Sequence, residues 1–353
     1  MKPPDETARR DRAMNQAAKQ SSMPTSPTPL PSIPLSSDRW KWKLLNAGPI
    51  LLDGGGMFGI IPRVLWSKSN PPDNRNRIRL NHNCLLLESV AEPGRHVLIE
   101  VGSGDKLDAK NRDIFGLTDR TIVTALNEAN VQPQDLADVI VSHLHFDHAA
   151  ALTRRVQAGE TPDWHDDSYP AGVKLTFPNA RIHVQKREWH DAIANNSVMT
   201  RTYFPDHLIP LRDRLVLHES PPPFEPGQVP PRHAMPAEPA SARQREILPG
   251  IFSMLVPGHT WGQQALLFND DRGRTVVFTP DCMPTVHHAG PAYSLAYDVE
   301  PFISMITRHW FLDEAARNDW LLVLDHEPGN PMQRVRPDGR GWFTLTPEPA
   351  ATG

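Results

Sequence analysis

The stretch Val141–Leu152, V-S-H-L-H-F-D-H-A-A-A-L, constrains this chain more than any other. His143, His145, Asp147 and His148 stand together at the exit of an apolar run, Val139, Ile140 and Val141. Imidazole and carboxylate hold divalent first-row metals at neutral pH. A solvated polar turn has no reason to gather three imidazoles where a buried strand ends. The spacing points to a metal site on a sheet edge, with a helix beginning near Ala149 and Asp147 at its N-terminal end.

Three later residues share that position just past an apolar strand. His259 follows Phe252–Val256 in P-G-H-T, Asp281 follows Val276–Phe278 in T-P-D-C, and His326 follows Leu321–Leu324 in L-D-H. Strands of one sheet end on a common edge, so ligands on the loops there converge while the scaffold stays rigid. Four local ligands become seven.

Strands and helices alternate through the rest of the chain, which predicts an α/β class. Strands are expected at Asn83–Ser89, His96–Val101, Ala137–Ser142, Arg181–Gln185, Ile251–Val256, Ala265–Phe268, Thr275–Phe278, Trp320–Leu324 and Trp342–Thr346, and a strand pair over Trp42–Leu52. Helical spacing occurs in Thr121–Ala129, Arg187–Ala194 and Glu300–Ala316. The glycines of Asp53-Gly54-Gly55-Gly56 bring backbone close to something or turn it sharply, and no Lys-Ser/Thr follows to make a phosphate loop. Residues 1–36 are polar and Pro-rich and are expected to be disordered; residues 37–353 are expected to form one domain with a Pro-rich insertion at about 219–245.

Composition excludes several classes. With 37 Lys and Arg against 41 Asp and Glu, formal net charge is −4, which makes no case for nucleic acid or an anionic membrane as partner. Two cysteines, Cys84 and Cys282, allow no disulfide framework. No apolar run reaches the ~18–20 residues of a membrane helix, and no secretory leader can be read, so a cytoplasmic location is expected.

The order H-L-H-F-D-H, P-G-H-T, D, then H after a strand resembles the metallo-β-lactamase superfamily of binuclear metallo-hydrolases. The resemblance covers most of Leu44–Thr346. It implies an αββα sandwich, two face-to-face sheets with helices outside. It also implies two divalent ions, taken as Zn2+: one on His143, His145 and His259, the other on Asp147, His148 and His326, with Asp281 bridging. Two dications facing only two carboxylates and a bridging hydroxide leave a net positive site, which lowers the pKa of bound water to about 7 and polarises a carbonyl.

Within that superfamily, Gly54–Lys68, Asn81–Leu87 and Asp281–Pro301 are similar to quorum-quenching N-acyl-homoserine lactonases. The resemblance implies a hydrolase that opens lactones by attack of the bridging hydroxide, with Asp147 passing a proton to the leaving alkoxide. The smaller lactonases place a Tyr a few residues after the bridging Asp; here Pro284 and Thr285 stand there, so His288 or Tyr297 is expected to supply the carbonyl donor. Gln263 replaces a common His. Met57, Phe58 and Trp261 are expected either to line an acyl-chain pocket or to be core, and Trp66 to be core. His82, His183 and His218 read as ordinary strand or loop histidines. The expected partner is a small lactone or ester, with homodimerisation left open. The alternatives are a phosphotriester or other ester hydrolase on the same metals, a β-lactamase, or a binding or redox module that uses iron at the same ligands, which a flavodoxin-like partner domain would support and which is not expected here.

Overall fold

Apolar runs whose successive residues face opposite sides build two sheets, each covered on both faces. The computed structural model describes residues 38–349 apart from 168, 195–201, 226–227 and 232; the expected tail at 1–36 lies outside the described residues. The first sheet contains β1 (Trp40–Asp53), β2 (Arg77–Ser89), β3 (His96–Ile99), β4 (Leu136–Ile140), β5 (Arg181–Gln185) and β6 (Leu215–His218), in that spatial order. β1 to β3 pair antiparallel, and β3 to β6 run parallel. The second contains β7 (Gln244–Leu248), β8 (Ile251–Leu255), β9 (Gln264–Asn269), β10 (Thr275–Thr279), β11 (Leu321–Leu324), β12 (Met332–Pro337) and β13 (Phe343–Pro347), again in order. Every pair there is antiparallel except β10 with β11.

Alternation decides which face each residue joins. Leu85, Leu87, Val97, Ile99 and Ile140 from the first sheet meet Leu266, Phe268, Val276, Phe278, Leu321 and Val323 from the second in one buried core. The intervening Cys84, Leu86, Leu98 and Val139 face outward onto Ile122, Ala125 and Leu126 of helix α1 (Ile122–Glu128). Leu267, Val277, Leu322 and Leu324 face outward onto Ile303, Ile306, Trp310 and Phe311 of helix α2 (Pro301–Arg317), the crossover that the parallel pair β10–β11 requires. The result is the αββα sandwich the resemblance implied.

Several boundaries differ from expectation. Trp42–Leu52 is not a strand pair: β1 is one long strand with a register shift between Asn46 and Pro49. Gly48, at φ +112°, carries the chain through that irregularity beside the Arg120 carbonyl, and Pro49 has no N–H to offer a ladder. Of the Pro-rich region at 219–245, residues 244 and 245 already belong to β7. Arg243 just before them is buried, paired with Glu314 and stacked 4.5 Å over Trp310, which ties the end of this connection to α2. A small sheet made of Thr153–Arg155, Trp164–Asp166 and Tyr169–Leu175 was not foreseen. Among the described residues, no helix is long and apolar enough to cross a membrane.

Candidate metal centre

Four strand ends deliver the site to one edge of the sandwich. β4 runs into His143 and His145, β8 into His259, β10 into Asp281 and β11 into His326. The helix of the opening motif starts earlier than expected, at Phe146 rather than near Ala149, so Asp147 and His148 sit inside its single turn. The two sheets are stitched together here by polar contacts. The Asn83 side chain donates to the carbonyls of Leu324 and Glu327, both at 2.9 Å, and that of Gln264 to Val141 O at 2.9 Å.

All seven predicted ligands converge, and all are buried. His143, His145, His259 and Asp281 place one ligand atom each within 4.8 Å of one another. His145 Nδ1 lies 2.9 Å from His259 Nε2, which is 3.0 Å from Asp281 Oδ2. His148, Asp281, Asp325 and His326 form a second such group. In it His148 Nε2 lies 3.1 Å from His326 Nε2 and 3.6 Å from Asp281 Oδ2, while His326 Nε2 is 3.5 Å from Asp281 Oδ1. Asp147 reaches the same pair, at 3.7 Å from His326 Nε2 and 3.9 Å from His148 Nε2. Asp281 alone belongs to both groups.

The outward-facing ring nitrogens are held by protein acceptors. His148 Nδ1 lies 3.1 Å from Glu100 Oε2, His259 Nδ1 2.9 Å from Asp298 Oδ1, His326 Nδ1 2.8 Å from Asn81 O, and His143 Nδ1 3.0 Å from Ser142 Oγ. Such partners fix ring orientation and turn the Nε2 lone pairs of these four inward. Glu100 sits at φ +68°, a conformation non-glycine residues avoid, and also accepts from the Ser142 N–H. Glu188, fully buried, accepts from Leu144 N–H at 2.9 Å and from the Thr260 hydroxyl at 2.6 Å, clamping the loops that carry His145 and His259. Sequence reasoning missed Glu100, Asp298, Asp325 and Glu188; Glu100, Asp325 and Glu188 stand just past strands, which marks their positions but not their partners, and Asp298 carries no such mark.

Without a cation these groups are mutually unsatisfied. His143 Nε2, His145 Nε2, Asp281 Oδ1 and both Asp325 oxygens are buried with no hydrogen-bond partner. Burial, then the neighbouring imidazoles, push the His143 and His145 pKa values well down. Burial also opposes charge on His148 and His259, but Asp147 beside the first and Asp281 with Asp298 beside the second outweigh it and raise both, His259 to about 10. Burial, and then Asp281, hold the Asp325 carboxyl well above the usual carboxylate range. Buried carboxylates and lone pairs without donors are what a divalent metal satisfies, and the donor set fits such ions.

The other predicted residues fall in different surroundings. His288 is fully buried, with Nε2 2.7 Å from Met57 O and Nδ1 2.8 Å from Thr285 Oγ1, and its ring stacks on Phe58 at 5.0 Å. Both nitrogens are engaged, so its place is structural, against the catalytic role expected of it. Met57 and Phe58 pack at 1% and 0% exposure into a cluster with Trp66, Phe146 and Leu295, which is the core alternative rather than an open pocket wall. Trp261 borders a cavity of about 580 Å³ together with Leu255, Pro257 and Ile303. Tyr297 stands at the glycine turn, which forms a short helix over Gly54–Phe58 capped by Asp53. A Cβ on Gly56 would overlap the Tyr297 hydroxyl and one on Gly54 the Trp66 ring, so these glycines admit side chains rather than a phosphate. Burial, and then the charges of Asp53, Asp147 and Asp281, push the Tyr297 phenol up to about 12. Cys84 and Cys282 are free and buried.

Comparison with known proteins agrees with this geometry. Curated relatives include an N-acyl homoserine lactonase of Bacillus cereus, 23% identical over 246 residues, 66% of this chain and 76% of the relative. Another, from Bacillus thuringiensis, is 23% identical over 238 residues, 64% and 73% of the two chains. Among solved structures, a probable metal-dependent hydrolase from Staphylococcus aureus matches with a TM-score of 0.66 and 26% identity, over 88% of this chain and 98% of that one. AidC, a dizinc quorum-quenching lactonase solved with its product N-hexanoyl-L-homoserine, shares the fold at a TM-score of 0.62 and 19% identity, over 91% and 97%. The metallo-beta-lactamase superfamily model matches residues 77–326, from β2 to the last of the converging histidines. This chain belongs to the metallo-β-lactamase superfamily and is a metal-dependent hydrolase.

Proposed function

We propose that the chain is a lactonase that opens N-acyl-homoserine lactones or related lactones at a centre of two divalent ions, taken as zinc. The observation that carries this reading is Asp281, the one carboxylate common to both ligand groups, as a bridge between two metals must be. Two such ions, when bound, supply an acidified water and a Lewis acid for the carbonyl. That relatives are named as N-acyl homoserine lactonases supports this substrate class.

The chain's own residues provide the rest. His143, His145 and His259 hold one position, and His148, His326 and Asp147 the other. Asp147, at the mouth of the pair His148–His326, takes up and returns the proton that the leaving alkoxide needs. Burial, with Asp53, Asp147 and Asp281 nearby, pushes the Tyr297 phenol up to about 12, so at neutral pH it keeps its proton and is a donor for the lactone carbonyl. Trp261, two residues after His259, is taken as an apolar wall for the acyl chain.

The test is ring-opening by purified, metal-loaded protein on acyl-homoserine lactones of several chain lengths, followed by acid release and run beside a His145→Ala control. The reading expects chain-length-dependent turnover; none above the control, or turnover only of a phosphotriester such as paraoxon, contradicts it. Tyr297→Phe should lower kcat/KM by about tenfold or less, the worth of one neutral hydrogen bond.

A further inference from the structure

Asp325 has no assigned role in the seven-ligand set, yet its carboxylate is buried at the same edge of the sandwich. Along β11, Leu321 and Val323 enter the inter-sheet core while Leu322 and Leu324 face α2, so Asp325 is next in register toward the interior. Its backbone is fixed on both sides: its N–H donates to Thr279 O at 3.2 Å, and its carbonyl accepts from Asn83 N–H at 2.8 Å. The side chain is 2% exposed, and neither oxygen has a hydrogen-bond partner. A carboxylate is kept in such a place by a cation or by a proton.

Its neighbours favour the cation. Asp325 shares its ligand group with His148, Asp281 and His326, and Asp147 reaches the same two imidazoles. The second position therefore has two nitrogens and three carboxylates within reach. The first has three imidazoles and only the shared Asp281. Nitrogen donors suit zinc, whereas carboxylate-rich sites suit harder ions such as manganese. Zinc still binds more tightly than manganese at either position by the general order of divalent affinities, so the difference lies in the margin.

We propose that Asp325 is a further ligand at the second position, and that this oxygen-rich position exchanges zinc for a harder divalent ion while the nitrogen-rich position does not. The proposal rests on the two-ion reading above. It gives the centre one carboxylate more than the two that sequence reasoning counted, and so less excess positive charge.

The experiment uses the full chain, stripped by chelator, loaded with zinc and then equilibrated with a large excess of Mn2+. Bound metals are counted by mass spectrometry, and the manganese is followed by electron paramagnetic resonance. Wild type should exchange one of its two ions. Asp325→Asn should retain roughly tenfold less manganese or worse, the scale of loss seen when a group supporting a metal is removed, with the other zinc unchanged. Equal exchange by wild type and D325N overturns the role of Asp325 and leaves the two-ion reading intact. A wild type that holds a single ion overturns the two-ion reading and this proposal with it. Should D325N fail to fold, wild type decides alone: exchange of both ions or of neither contradicts the proposal.

Discussion

Two buried histidine clusters lie in this sandwich, and they are built in opposite ways. In one, Asp138 Oδ1 lies 2.8 Å from His183 Nε2, whose Nδ1 lies 2.9 Å from His218 Nε2, and Arg181 closes the row with an ion pair to Asp138 at 2.8 Å. Its polar groups form a line in which each imidazole has a partner of opposite role. In the other, imidazole and carboxylate atoms crowd together with lone pairs facing one another, and His143 Nε2, His145 Nε2 and Asp281 Oδ1 are left unpaired. Burial of histidine is common to both. The direction of the lone pairs separates a structural cluster from a metal centre.

Substitutions can break that comparison. The largest effect is expected at the shared carboxylate: Asp281→Asn should reduce both metal affinity and hydrolysis by more than about a hundredfold, since even outer-shell losses cost 10–100-fold. Next come the outer partners. Asp298→Ala and Glu100→Gln should each weaken metal binding by about 10–100-fold, visible as easier loss of metal to a chelator. In the paired cluster, His183→Ala should leave metal content unchanged while lowering stability to denaturant by about 1–3 kcal/mol, the cost of unpaired buried groups. A drop in bound metal in H183A would erase the distinction.

The smallest effect is on pH dependence. Burial, and then the adjacent His183, push the His218 pKa down to about 4. The unfolded chain takes up a proton near the ordinary histidine value of about 6.5, which the folded chain refuses until about pH 4. Stability from this group is thus present above pH ~6.5 and is lost as pH falls toward 4. The melting temperature of wild type should fall over that window more than that of His218→Phe.

Much of the centre could be read from the sequence because its chemistry is local. H-L-H-F-D-H packs four ligands into one strand exit, and His259, Asp281 and His326 each follow an apolar run whose alternation is plain. Glu100 and Asp298 could not be read as partners, because only the folded chain brings them against His148 and His259 from 48 and 39 residues away. Asp325 was hidden by its neighbour, since a carboxylate beside a ligand histidine reads as part of a turn until the in–out register of β11 is known. His288 misled for the same reason in reverse: its position near the bridging Asp suggested chemistry, whereas Met57 O and Thr285 use both of its nitrogens. Strands β6, β7 and β12 escaped notice because short or polar segments lack a clear apolar period.

The most direct measurement is the number of metal ions bound per chain in wild type, D281N and H183A, each purified alike and analysed by mass spectrometry. Two ions in wild type and in H183A, with both lost from D281N, is the predicted result. One ion in wild type, or two retained in D281N, would contradict a centre bridged by Asp281.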